Sequence, residues 1–95
     1  MRNYELTFIV PTDVNDEDMN GVVNQIQSWV EGSQGKVTKV DHWGRRRLAY
    51  NIAEYTEGNY ILLNLELDPQ TTTELERNLK LSDRVLRHLL IRTEA

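Results

Sequence analysis

Ninety-five residues fit one ordinary domain and not two, so residues 1–95 are expected to share a single core. Hydrophobic residues at 39% and charged residues at 27%, interspersed along the chain, exclude a disordered segment and a plain coiled coil, and the absence of cysteine excludes a disulfide scaffold, thiolate metal sites and a cysteine nucleophile. A formal net charge of -4 speaks against the broad positive field of an autonomous nucleic-acid binder, yet Arg45, Arg46 and Arg47 are adjacent and Arg84, Arg87 and Arg92 gather near the end, so the net value hides two basic patches.

From Tyr4 to Val10 the apolar residues Tyr4, Leu6, Phe8 and Val10 alternate with Glu5, Thr7 and Ile9, the period of a strand with one buried face. Its charged and polar interruptions and its halt at Pro11 make it neither a signal peptide nor a membrane span. Asn15 or Asp16 then caps a helix whose acidic first turn suits the positive end of the helix dipole. Met19, Val22, Val23, Ile26, Trp29 and Val30 form its apolar stripe, and Gly32 supplies the expected stop. A second extended run opens at Gly35; Val37 and Val40 are three apart, which predicts a bulge near Thr38 or Lys39. Leu48 and Tyr50 resume the apolar signal, and the aperiodic stretch from Asn51 to Asn59 reads as a connection between antiparallel strands.

Ile61, Leu63, Leu65 and Leu67 alternate with Tyr60, Leu62, Asn64 and Glu66, giving a third strand with a core face and a mixed face. Asp68-Pro69 sets a capping carboxylate before a proline at the first helical position, opening a second helix to about Leu79 or Lys80 with Leu75 and Leu79 inward. Val85 to Arg92 form a final strand whose periodicity does not decide its inward face. The order β-α-β-β-α-β predicts an α+β fold of the ferredoxin-like kind: a four-stranded antiparallel sheet, strands one and three central, both helices on one face.

The other face of such a sheet is uncovered and presents Ile9, Tyr60 and Leu62, a candidate partner interface. Trp43-Gly44-Arg45-Arg46-Arg47-Leu48-Ala49-Tyr50 joins three guanidiniums to two aromatics, the residue types that contact phosphates and stack on bases. Alternation along a strand sends those arginines to both faces, leaving one of them to pair with an acid such as Asp41 or Glu66. His42 and His88 lack the convergent ligands a metal site needs, and Asp13, Asp16 and Asp18 lack the glycine and bidentate glutamate of a calcium loop. No metal and no cofactor is therefore expected. The loop Pro11-Thr12-Asp13-Val14-Asn15 lacks the glycine-rich anion cradle of acylphosphatase, which shares this general fold, and no Ser-His-Asp arrangement, nucleophile elbow or Walker sequence occurs. A catalytic site and a small-molecule substrate are not expected either. Gly58-Asn59-Tyr60-Ile61-Leu62 only partly imitates the strand aromatics of an RNA-recognition module.

End to end, the chain resembles the bacterial small-subunit ribosomal protein six family. Arg2-Asn3-Tyr4-Glu5 resembles its opening strand, Trp43 to Tyr50 its central basic motif, Gly58-Asn59-Tyr60 the start of its third strand, and Asp83-Arg84-Val85-Leu86-Arg87 the entry to its last. The resemblance implies a non-enzymatic, cytoplasmic component of the small ribosomal subunit that binds the central domain of small-subunit ribosomal RNA together with small-subunit protein eighteen. A basic partner of that kind accounts for an acidic chain entering an RNA assembly. The RNA contacts are expected from Arg45, Arg46 and Arg47, with Arg2, Trp43 and Arg87 beside them, and the partner contacts from Ile9, Tyr60 and Leu62. The chain departs from the family pattern at Asn51, where proline is common. The alternative is a free-standing RNA-recognition-like or small-molecule regulatory domain.

Overall fold

The structure, a computed structural model, describes residues 1–93. Its elements run β1 (Arg2–Pro11), α1 (Asp16–Gly32), β2 (Lys36–Ile52), β3 (Tyr55–Leu67), a 3-10 turn (Pro69–Thr71), α2 (Thr72–Leu81) and β4 (Arg87–Arg92). The strands form one sheet in the order β2-β3-β1-β4, and every neighbouring pair is antiparallel. This is the ferredoxin-like arrangement expected from the order of elements.

Alternation in the two central strands decides the layers. Tyr4, Leu6, Phe8 and Val10 of β1 pair with Leu65, Leu63, Ile61 and Asn59 of β3, and the apolar members are buried against Val22, Val23, Ile26 and Val30 of α1 and Leu75 and Leu79 of α2. Each fully buried side chain of this kind stabilises the fold by about 1.5–3 kcal/mol relative to exposure. Asn15 caps α1, its Oδ1 accepting from the Asp18 amide at 2.7 Å, and Asp68 caps the 3-10 turn, accepting from the Gln70 amide at 3.0 Å. The predicted stop at Gly32 is corrected: Gly32 is still helical, and the left-handed residue is Gln34 at φ 65, with Gly35 N–H donating to Val30 O and Gln34 N–H to Glu31 O. Those two bonds satisfy the last carbonyls, which is why the chain tolerates a non-glycine there.

The bulge expected near Thr38 falls between Val37 and Lys39, and a second one, not foreseen, sits between His42 and Gly44. The long connection expected from Asn51 to Asn59 is also corrected. The strands continue to a two-residue turn at Ala53 and Glu54, both at positive φ, so β2 and β3 form a hairpin that overshoots the sheet. β1 ends at Pro11 opposite Gly58, and beyond that point the hairpin has no third strand.

The base of this overshoot explains a further correction. Ile9 lies on the uncovered face, as its parity demands, but it is only 8% exposed. Gly58 leaves room for the Ile9 and Leu48 side chains: a Cβ there would collide with Ile9 Cγ2 and sit 3.5 Å from Leu48 Cδ2. Ile9 is thus largely covered, supports the face from below and offers little area to a partner. Gly58→Ala should accordingly lower stability by about 1–3 kcal/mol, because added volume in a filled site forces a shift. Gly21→Ala, inside α1 with nothing within 4 Å of its added methyl, should raise it by about 0.5–1 kcal/mol. Thermal unfolding of the two variants checks the opposite signs.

Candidate functional site

Register turns the uncovered face into a grid. Across β4, β1, β3 and β2, one row reads Arg87, Ile9, Tyr60, Gly44, the next Leu89, Thr7, Leu62, Asp41, and the next Ile91, Glu5, Asn64, Lys39. Leu89 and Ile91 on β4 are 58% and 47% exposed, and Tyr60 and Leu62 on β3, across Ile9 and Thr7 of β1, are half-buried. Together they make an apolar strip flanked by a shallow hollow of about 440 Å³ lined by Thr7, Ile9, Tyr60, Arg87, His88 and Leu89. His88 itself turns toward α2 with Leu90. Burial lowers its pKa from the ordinary histidine value, an effect opposed by Glu76 and reinforced by Lys80.

The basic and aromatic residues collect at one end of this face. The bulge throws Trp43 out of the ladder; Gly44 follows at φ 83, a left-handed conformation that glycine accepts without strain. The indole Nε1 donates to Asp41 Oδ2 at 3.3 Å, and the Arg46 guanidinium lies 5.5 Å from the ring centroid, so an exposed ring is held between a fixed acceptor and a cation. Tyr50 reaches back from the hairpin to β4, where Arg87 sits 5.2 Å from its ring centroid. Arg46, Trp43, Tyr50 and Arg87 therefore share one face.

Arg45 and Arg47 do not share it. Arg46 is opposite Gly58, whereas its neighbours are opposite Asn59 and Glu57 and point to the other side of the hairpin. Arg45 Nε is 3.8 Å from Glu57 Oε2, so the arginine expected to pair with an acid is this one, and the acid is Glu57. Arg2 lies at the opposite end of β1 from Pro11, about 30 Å from the trio at the rise of a strand, and is not brought together with it. Six of the fifteen acids lie on the helices, Asp16, Glu17, Asp18 and Glu31 on α1 and Glu74 and Glu76 on α2, whereas Asp41 and Glu57 sit among the basic and aromatic residues. Among the described residues no group of three or more histidines and carboxylates is placed to hold a metal ion, and no helix is long and apolar enough to cross a membrane.

Guanidiniums with exposed rings at one end and an apolar strip along the other strands suit contacts to an anionic, base-bearing polymer and to a protein surface. Residues 3–92 match the profile of Ribosomal protein S6. The chain belongs to the ribosomal protein S6 family. It is 40% identical over 92 residues to small ribosomal subunit protein bS6 of Desulforamulus reducens, with 97% of each chain covered. It is 42% identical over 94 residues to the bS6 of Moorella thermoacetica, covering 99% of this chain and 96% of that one. The crystal structure of 30S ribosomal protein S6 from Thermotoga maritima superposes with a TM-score of 0.89 at 30% identity, covering 96% of this chain and 86% of that one. As an S6 family member the chain is a structural protein of the small ribosomal subunit in the cytoplasm, not an enzyme.

Sequence reasoning missed Leu89 and Ile91. They stand in the run Leu89-Leu90-Ile91, where no polar residue marks a phase, and only the pairing of Thr7 with Leu89 and of Leu6 with Leu90 assigns their faces. The role of Tyr50 in reaching Arg87 was also hidden, since it depends on how far the hairpin curls back.

Proposed function

We propose that this chain binds the central domain of small-subunit ribosomal RNA together with small-subunit protein eighteen. The Trp43, Arg46 and Arg87 end of the uncovered face, with Arg45 and Arg47 on the far side of the hairpin, turns toward RNA; Tyr60, Leu62, Leu89 and Ile91 turn toward the protein. The observation that carries this reading is the placement of a guanidinium and aromatic cluster and an exposed apolar strip side by side on the one sheet face that the helices leave open. Apolar strips of this kind are unfavourable in water unless a partner covers them. Guanidiniums gain from phosphate through charge-assisted, often bidentate hydrogen bonds. The family resemblance supplies the identity of both partners.

Tagged protein expressed in bacterial cells should sediment with small ribosomal subunits and remain with them through a salt wash. In reconstitution from purified components, it should join the RNA strongly only when small-subunit protein eighteen is present. Absence from the small-subunit peak, or joining that ignores the second protein, would reject the assignment.

A further inference from the structure

Past Gly58 the β2–β3 hairpin is a two-stranded ribbon, an arrangement that is marginal on its own in water. Its pairing lapses between Arg47 and Ile52, and its turn residues Ala53 and Glu54 sit at φ 48 and 69. That is the pair of positive values for which Asn-Gly is the relaxed choice. This strained, partly unpaired arm nevertheless carries Arg47 and Tyr50, and Arg45 and Arg46 stand at its base, opposite Asn59 and Gly58. Leu48 is seated near Ile9 and Tyr50 faces Arg87, but both contacts lie toward the base of the arm and are weakly directional.

One directional bond reaches the tip. The Tyr55 hydroxyl donates to Asp13 Oδ2 at 2.8 Å across 42 residues of sequence. Asp13 is itself on a well-fixed anchor, the short loop between β1 and α1. Val14 N–H donates to Pro11 O at 3.2 Å on one side of it, and the Asn15 cap holds the first turn of α1 on the other. The bond also holds Tyr55 in its protonated, donating form, since accepting carboxylate and partial desolvation raise the phenol's pKa. An acid near an RNA-facing arm repels phosphate, so any benefit of Asp13 to RNA binding has to come through position.

We propose that the Asp13–Tyr55 bond is a tether that presets the arginine-bearing hairpin in its RNA-facing orientation, which makes Tyr55 and Asp13 positioning residues for RNA recognition. The inference rests on the RNA reading above and adds to it how the arm is held. A preset arm loses less freedom on binding than a swinging one, so the tether acts on affinity without touching RNA.

The variants Tyr55→Phe, Asp13→Ala and Asp13→Asn separate position from charge. Tyr55→Phe removes the donor alone; Asp13→Ala removes acceptor and charge together; Asp13→Asn removes the charge and keeps an acceptor. In the free protein, amide hydrogen exchange across residues 47–57 should rise about tenfold in Tyr55→Phe and Asp13→Ala and stay near its starting rate in Asp13→Asn, with residues 60–66 unchanged in all three. Affinity for a central-domain transcript in the presence of small-subunit protein eighteen should fall about five- to tenfold in Tyr55→Phe with an unaltered salt slope. It should fall also in Asp13→Ala, although that variant loses a negative charge, and the double variant Tyr55→Phe with Asp13→Ala should lose no more than either single one. Unchanged arm exchange in Tyr55→Phe overturns the tether whatever the RNA data show. Faster exchange with full RNA affinity in Tyr55→Phe, while Arg46→Ala binds weakly, overturns the positioning role and leaves the RNA reading intact. Full affinity in Arg46→Ala as well places the fault in the RNA reading, and the positioning role falls with it.

Discussion

An aspartate in place of Leu89 should weaken binding to small-subunit protein eighteen by about 30-fold or more and leave the free protein folded. Leu89 is 58% exposed on β4, so in the monomer its replacement disturbs little, and surface changes of this sort usually stay within about 0.5 kcal/mol. On the proposed interface it shares the open face with Tyr60, Leu62 and Ile91, where truncating a central apolar contact costs about 2 kcal/mol or more and an unpaired carboxylate adds a desolvation penalty. Leu62→Asp should act in the same direction with some loss of monomer stability, because Leu62 is half-buried between Thr7 and Asp41. The opposite face supplies the contrast. Leu63 and Ile61 are 0% and 1% exposed, and their truncation to alanine should lower stability by about 2–5 kcal/mol while the folded fraction binds normally. Equilibrium binding of the purified partner, measured beside thermal unfolding, checks all four variants. Normal affinity in a folded Leu89→Asp protein would remove β4 from the interface.

The contrast between Leu62 and Leu63 was legible in the sequence, because Tyr60, Leu62, Asn64 and Glu66 form a mixed row that alternates with the wholly apolar Ile61, Leu63, Leu65 and Leu67. The same held for β1, and these two strands sit at the centre of the sheet, so the layers followed from them. Ile9 shows where periodicity stops. Its parity places it on the open face, but its burial depends on Leu48, 39 residues later, seated against it over Gly58. No local pattern encodes a contact of that range. The hairpin tip was illegible for the reverse reason. Ala53-Glu54 carries none of the Asn-Gly chemistry by which a tight turn announces itself, and the turn is held from outside, through Tyr55 and Asp13. The cluster at Trp43 was legible as residue types and not as geometry: the bulge that displaces the ring has no signature beyond the glycine that follows it.

Replacing Arg45, Arg46 and Arg47 together by alanine should nearly abolish incorporation into small subunits at moderate salt, and the three arginines should not share the loss equally. Each phosphate contact releases condensed counterions, so removal of one lowers the dependence of log affinity on log salt by about 0.7–0.9, and removal of three by about 2–3. Arg46 and Arg47 are exposed and have no acid drawing on their charge at the distance of an ion pair among the described contacts, whereas Arg45 is held 3.8 Å from Glu57. The exposed Arg45–Glu57 pair has to be broken or shared before Arg45 can serve a phosphate. Arg45→Ala should therefore change the slope least, and Glu57→Gln should strengthen RNA binding by freeing Arg45 and removing a negative charge from the arm. Arg46→Ala carries an additional loss, since its guanidinium also covers the Trp43 ring at 5.5 Å, and without it that exposed indole is less firmly oriented. Thermal stability should stay within about 0.5 kcal/mol throughout, because the three side chains lie at the surface. Titrations of the central-domain transcript across a salt series, with the partner protein present, give the slopes. Equal slopes for wild type and the triple variant would show that these arginines meet no phosphate, and a slope lowered most by Arg45→Ala would show that the Glu57 pair opens freely when RNA arrives.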